Sequence, residues 1–118
     1  MKIFEGDTWA DKVNFVDENN VFVGYELGQS CCEDARWFIS DKIEETYDPE
    51  DADLADTDYE GWLFDRDFFR GEENHMVVFK LVRGDSEKFI HLVNVHNGYY
   101  NHGFRFGVDD KVLINDYI

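Results

Sequence analysis

The sequence has little to brace or punctuate it: one proline, Pro49, two cysteines, 11 lysines and arginines, and no run of about 18 apolar residues in 118. The missing apolar run excludes a membrane-spanning helix. Only one lysine and no continuous apolar segment follow Met1, so no secretory leader is expected. Cys31 and Cys32 are neighbours, and adjacent cysteines close on each other only through a strained ring, so no ordinary intrachain disulfide is available and a reducing, cytoplasmic setting is expected. The shortage of bases matters most. Against 27 acids it leaves a net charge of −16, which repels nucleic-acid phosphates and anionic headgroups and favours basic protein surfaces or cations. Direct nucleic-acid binding and membrane association are therefore not expected. There is also no GxSxG elbow, no phosphate-cradling glycine loop and no GxGxxG after a strand, so the chain reads as leaning away from an enzyme.

What is present is a folding composition. Apolar residues make up 43% of the chain and aromatics 17%, enough for one aromatic-rich core, so a single domain over residues 1–118 is expected. The acids gather in the middle: between Asp41 and Glu73 stand 14 of them against Lys42, Arg66 and Arg70. From Tyr47 to Gly61 there is no base at all. Self-repulsion and few large apolar side chains make 47–61 an acidic loop or weak helix.

The flanks carry stronger patterns. Val13 to Val16, the polar Asp17-Glu18-Asn19-Asn20 and Val21 to Leu27 read as a hairpin with Val21, Val23, Tyr25 and Leu27 on one face. Ser30 stands three residues before Glu33 with capping-box spacing, and Cys31, Ala35, Phe38, Ile39 and Ile43 share a helical stripe. This predicts a helix over 31–43, with a strand as its competitor because Trp37, Phe38 and Ile39 are consecutive. Trp62, Phe64, Phe68 and Phe69, interleaved with charges, read as a short amphipathic helix, or as an exposed aromatic and acidic patch. Met76 to Val82 and Lys88 to His96 form a second hairpin through Arg83-Gly84-Asp85-Ser86. Asn97-Gly98 predicts a tight turn that returns Tyr99 to Phe106 onto Lys88 to His96, because a type I′ turn needs positive φ at both central residues. Lys111 to Asn115 closes an edge. The expected class is α+β: an antiparallel sheet of about five to six strands with one or two helices packed on it.

Three constellations have chemical content. Under the Asn97-Gly98 hairpin, Val93 faces His102 and His91 faces Phe104, so His91 and His102 share a face diagonally and His96 points to the other. Two histidines and Cys32 then make a candidate metal or thiol site. Asp56, Asp58 and Glu60, followed by Gly61 and with Asp67 at the twelfth position, resemble a calcium-loop template. Glu60 is too long and Asp67 too short for that template, and Phe64 supplies no ligand. No cofactor is expected apart from a divalent cation at one of these places. The third constellation is the acidic zone itself, Asp48, Glu50, Asp51, Asp53, Asp56, Asp58, Glu60, Asp65 and Asp67, as a surface for a basic partner.

Cys31-Cys32-Glu33 after an apolar strand, and His96-Asn97-Gly98-Tyr99-Tyr100-Asn101-His102-Gly103-Phe104 near the end, resemble an uncharacterised family of small phage and bacterial proteins that share a Cys-Cys-Glu motif and an Asn-Gly-Tyr-Tyr hairpin. The resemblance spans Val13 to Phe106 and implies an antiparallel α+β fold in a mobile-element setting, with no activity to carry over. The acidic stretch from Tyr47 to Glu60 looks like an elaboration on that pattern. Spaced carboxylates on a rigid domain can imitate a phosphate backbone. The functional expectation is therefore a non-catalytic inhibitor that engages a basic, nucleic-acid-handling host protein by mimicry, of the anti-restriction or anti-CRISPR kind. The rivals are a small metal-dependent or thiol enzyme using Cys32, His91 and His102, and a small-ligand-sequestering protein.

Overall fold

Wherever one face of a strand meets the core and the other meets water, apolar and polar side chains alternate in the sequence. β2 (Lys12–Val16) buries Val13 and Phe15, and β3 (Val21–Glu26) buries Val21, Val23 and Tyr25. They pair in antiparallel register, Phe15 opposite Val23, as the hairpin reading expects. The computed structural model describes residues 1–5, 12–27, 33–45, 59–73, 75–96 and 102–118. The other strands are β1 (Lys2–Glu5), β4 (Glu33–Ser40), β5 (Leu63–Glu73), β6 (Met76–Arg83), β7 (Ser86–His96), β8 (Gly103–Val108) and β9 (Lys111–Tyr117). They make two antiparallel sheets, ordered β1-β2-β3-β8-β9 and β4-β7-β6-β5.

The fold is therefore all-β, and the α+β expectation is overturned. Among the described residues there is no helix. The part of 31–43 expected to be helical that is described holds β4, paired with β7 from Glu33 opposite His96 to Ser40 opposite Phe89. Trp37 and Ile39 enter the main core while Phe38 joins Met76 and Val93 in a second buried cluster on the opposite face. A strand covered on both sides shows no polar alternation, which is why the helical stripe misleads here. The expected amphipathic helix around Trp62 to Arg70 is β5, an edge strand. The Asn97-Gly98 hairpin is corrected too. β7 pairs with β4 and β6, whereas β8 pairs with β3 and β9 in the other sheet. Residues 97–101 themselves lie outside the described residues.

The sheets meet through rings. Phe15 contacts Trp37 edge-on at 5.1 Å, and Phe106 lies 5.3 Å from Phe79 and 6.2 Å from Phe64. Each such ring buried contributes roughly 1.5–3 kcal/mol. Polar ties reinforce the contact: the Tyr25 hydroxyl donates to the Val93 carbonyl at 2.7 Å, and Asn94 Nδ2 donates to the Ile118 carbonyl at 2.9 Å. Asp17 is the third tie. Its Oδ1 accepts the Asn19 and Val21 amides and its Oδ2 accepts the Phe64 amide, each at 2.9 Å, so one buried carboxylate closes the β2–β3 turn and anchors β5. No helix long and apolar enough to cross a membrane occurs among the described residues.

Candidate functional site

Of the acids singled out from the sequence, Asp48, Glu50, Asp51, Asp53, Asp56 and Asp58 lie outside the described residues, as does Cys32 with its neighbour Cys31. Glu60, Asp65 and Asp67 are described. β5 pairs with β6 through Phe64 opposite Leu81 and next through Phe69 opposite Phe79, so five steps on β5 answer two on β6. The surplus chain bulges out of the ladder and carries Asp65, Arg66 and Asp67 with it. Within the bulge the Asp67 amide donates to Asp65 Oδ1 at 3.0 Å. Further along the same strand Glu72 and Glu73 are exposed. One edge strand thus presents four carboxylates, Asp65, Asp67, Glu72 and Glu73. The same strand also carries Arg66 and Arg70; the ion pairs among the described residues are Arg70 with Glu45 at 3.4 Å, Lys80 with Glu87 at 3.1 Å and Lys88 with Asp41 at 2.6 Å, and none of them takes one of these four carboxylates.

Glu60 sits at the tip of a turn. The Trp62 amide donates to the Tyr59 carbonyl at 3.1 Å, and Gly61 between them has φ +83°, the third position of a type II turn, which favours glycine. The turn faces β1 and the β2–β3 turn across a groove of about 590 Å³. Met1, Phe4 and Val16 give it apolar walls, and Glu18 and Glu60 stand with Lys2 among its lining residues. Its composition suits an apolar group next to a cation, such as the stem and head of a lysine or arginine.

The histidines do not come together. His91 lies on β7 between Phe38 and Val78, on the face turned away from the five-stranded sheet. Its ring stacks on Phe38 at 4.2 Å and 4°, and the Glu44 amide donates to its Nε2 at 2.9 Å. That bond places the ring proton on Nδ1. Burial, with a smaller contribution from Arg70, lowers the His91 pKa to about 4, so the ring is neutral at pH 7. Arg70 stands opposite Val78 and so shares this face, held by Glu45. His102 precedes β8 in the other sheet, where its Nδ1 donates to the Glu26 carbonyl at 2.8 Å and its ring meets Tyr25. The register that would have placed His91 diagonally to His102 does not form. Among the described residues no three His, Cys, Asp or Glu side chains gather as metal ligands would.

Sequence reasoning missed Asp17 and the pairing of Arg70 and His91 with consecutive residues of 41–45. The signal for Asp17 was present, since Asp followed by Asn two and three residues on is a side-chain-closed turn. Arg70 and Glu45 had none, because their meeting depends on strand order. A scan against protein-family models finds no match, and searches of the curated proteins and of the solved structures also return none. Residues and geometry alone therefore carry the functional argument.

Proposed function

We propose that this chain is a non-catalytic, acidic interaction protein that docks its carboxylates onto a basic, nucleic-acid-handling protein in the cytoplasm, as an inhibitor borne by a phage or other mobile element. The observation that carries the reading is the β5 edge. Asp65, Asp67, Glu72 and Glu73 stand on an edge strand of an ordered sheet, and no ion pair among the described residues engages them. The strand holds these four carboxylates against Arg66 and Arg70, of which Arg70 is paired with Glu45, and carboxylates fixed on a rigid support imitate a phosphate backbone better than the same groups on a free tail, because their spacing is set before binding. The net charge of −16 adds long-range steering toward a positive groove. The remaining acids, Asp48 to Asp58 and Glu60, extend the same region along the sequence. The Cys-Cys-Glu and Asn-Gly-Tyr-Tyr motifs support the mobile-element setting.

The test is capture of a basic nucleic-acid-binding protein on immobilised chain at about 50 mM salt, where screening is weak, and at about 500 mM. Retention is expected at the lower salt, with release by the higher salt and by added duplex DNA or RNA. Replacing Asp65, Asp67, Glu72 and Glu73 by their amides weakens capture at least tenfold. Capture indifferent to both salt and nucleic acid would overturn the proposal.

A further inference from the structure

We infer that the outward face of the five-stranded sheet binds a free α-amino acid, holding its ammonium group at Glu26 and its carboxylate at Arg105. Phe15, Val23, Tyr25, Phe104 and Phe106 turn into the core, so the residues between them face outward. The strand register sorts these into two rows. Lys12, Glu26, Gly103 and Tyr117 form one, and Asn14, Gly24, Arg105 and Asn115 form the next. Both rows line a shallow furrow of about 50 Å³, which seats the head group of a ligand and leaves the rest of it outside.

The two glycines sit on one diagonal of this array. A Cβ on Gly103 would stand 3.4 Å from the Glu26 carboxylate and 3.4 Å from the Tyr117 ring, and one on Gly24 would stand 2.9 Å from Asn14 Oδ1. Glycine therefore lets a carboxylate and the ring of an exposed tyrosine lean together over Gly103. That is a seat for an ammonium group, which pairs with the one and is attracted by the other. Glu26 and Arg105 hold the other diagonal, with Cβ atoms about 7 Å apart, yet no ion pair among the described residues takes Glu26, Arg105 or Lys12. Two charge-assisted hydrogen bonds of about 2.8 Å bridge such a gap when the opposite charges of the ligand sit on one carbon. Charge disfavours the other occupants. Two bases against one acid in the furrow repel a simple cation, and the net charge of −16 repels a polyanion. A zwitterion escapes both.

Amide NMR of the full chain titrated with L-phenylalanine tests the inference. Saturable shifts at the Gly24, Gly103 and Asn115 amides are expected, with a dissociation constant of about 1 mM or lower. N-acetyl-L-phenylalanine lacks the ammonium charge and L-phenylalaninamide lacks the carboxylate, so each binds about tenfold more weakly or worse. Glu26→Gln keeps an oxygen for the Gly103 amide and abolishes the preference for phenylalanine over its N-acetyl form. Arg105→Gln, at an exposed position, abolishes the preference over the amide. Absence of saturable shifts, equal affinity of the wild type for the three probes, or preferences that survive both variants would overturn the inference. Partner capture through β5 is read separately and does not depend on Arg105, so either result stands without the other.

Discussion

Asp17 and His91 are both buried and polar, and the backbone holds them in opposite senses. Three amides converge on Asp17, so its anion is solvated by the fold. Asp17→Ala leaves three N–H groups without an acceptor, two of them in buried bonds, and is expected to cost about 2–4 kcal/mol. Urea unfolding would show this as a lower midpoint with an unchanged slope, and a loss below about 0.5 kcal/mol would mean the carboxylate is dispensable. His91 Nε2 accepts a hydrogen bond from the Glu44 amide and its ring is stacked on Phe38, so the neutral ring is the one that fits. Its folded pKa of about 4 lies below the ordinary 6.5. Between those values the unfolded chain binds a proton that the native one refuses, so stability rises with pH across that window. The contribution is complete above about pH 6.5 and is lost as the pH falls to about 4, on the order of 3 kcal/mol in all. Histidine NMR titration checks it directly: His91 should stay neutral to near pH 4, and a midpoint near 6.5 would contradict the buried, stacked ring.

At the scale of elements, the sequence is legible where a strand has one wet face. β2 and β3 follow from alternation, whereas β6 and β7, buried on both faces over 76–79 and 89–94, follow from the turn residues between them; both hairpins pair as expected. β4 is illegible for a physical reason: Trp37 and Ile39 go to one core and Phe38 to the other, so its apolar run imitates a helix. β5 is illegible because its bulge interrupts the period just where Asp65 and Asp67 stand. Turn chemistry at Asn97-Gly98 says that the chain can reverse and says nothing about which sheet it rejoins. That is how the pairing of His91 with Phe104 failed. The same bulging geometry constrains β8 and β9. A Cβ on Gly107 would run into the Lys111 carbonyl oxygen and stand 2.7 Å from the Phe22 ring, contacts that neither backbone nor ring can relieve cheaply. Gly107→Ala is expected to destabilise by about 2 kcal/mol or more. Gly71→Ala, whose Cβ meets only Phe69 at 3.9 Å, should stay within about 0.5 kcal/mol. Equal thermal midpoints for the two variants would contradict the close approach at Gly107.

For the whole molecule, charge is the quantity that links stability to the proposed docking. Its extents are 41 × 30 × 26 Å, while the screening length is about 30 Å at 0.01 M salt and about 8 Å at 0.15 M. At the lower salt every carboxylate therefore senses most of the others, and the −16 charge opposes the compact state. At the higher salt only near neighbours couple. The melting temperature should accordingly climb between about 0.01 and 0.15 M sodium chloride and then level off. Replacing Asp65, Asp67, Glu72 and Glu73 by amides removes four charges from one edge without touching the core. That variant should melt higher than the wild type in low salt and with a shallower salt dependence, while losing capture of a basic partner. The two effects have one origin: a concentration of like charge that the folded chain tolerates at a cost is what a cationic groove would neutralise. If the amide variant melts no higher at low salt, those four carboxylates do not repel the rest of the molecule. The β5 edge would then not be a focus of negative potential.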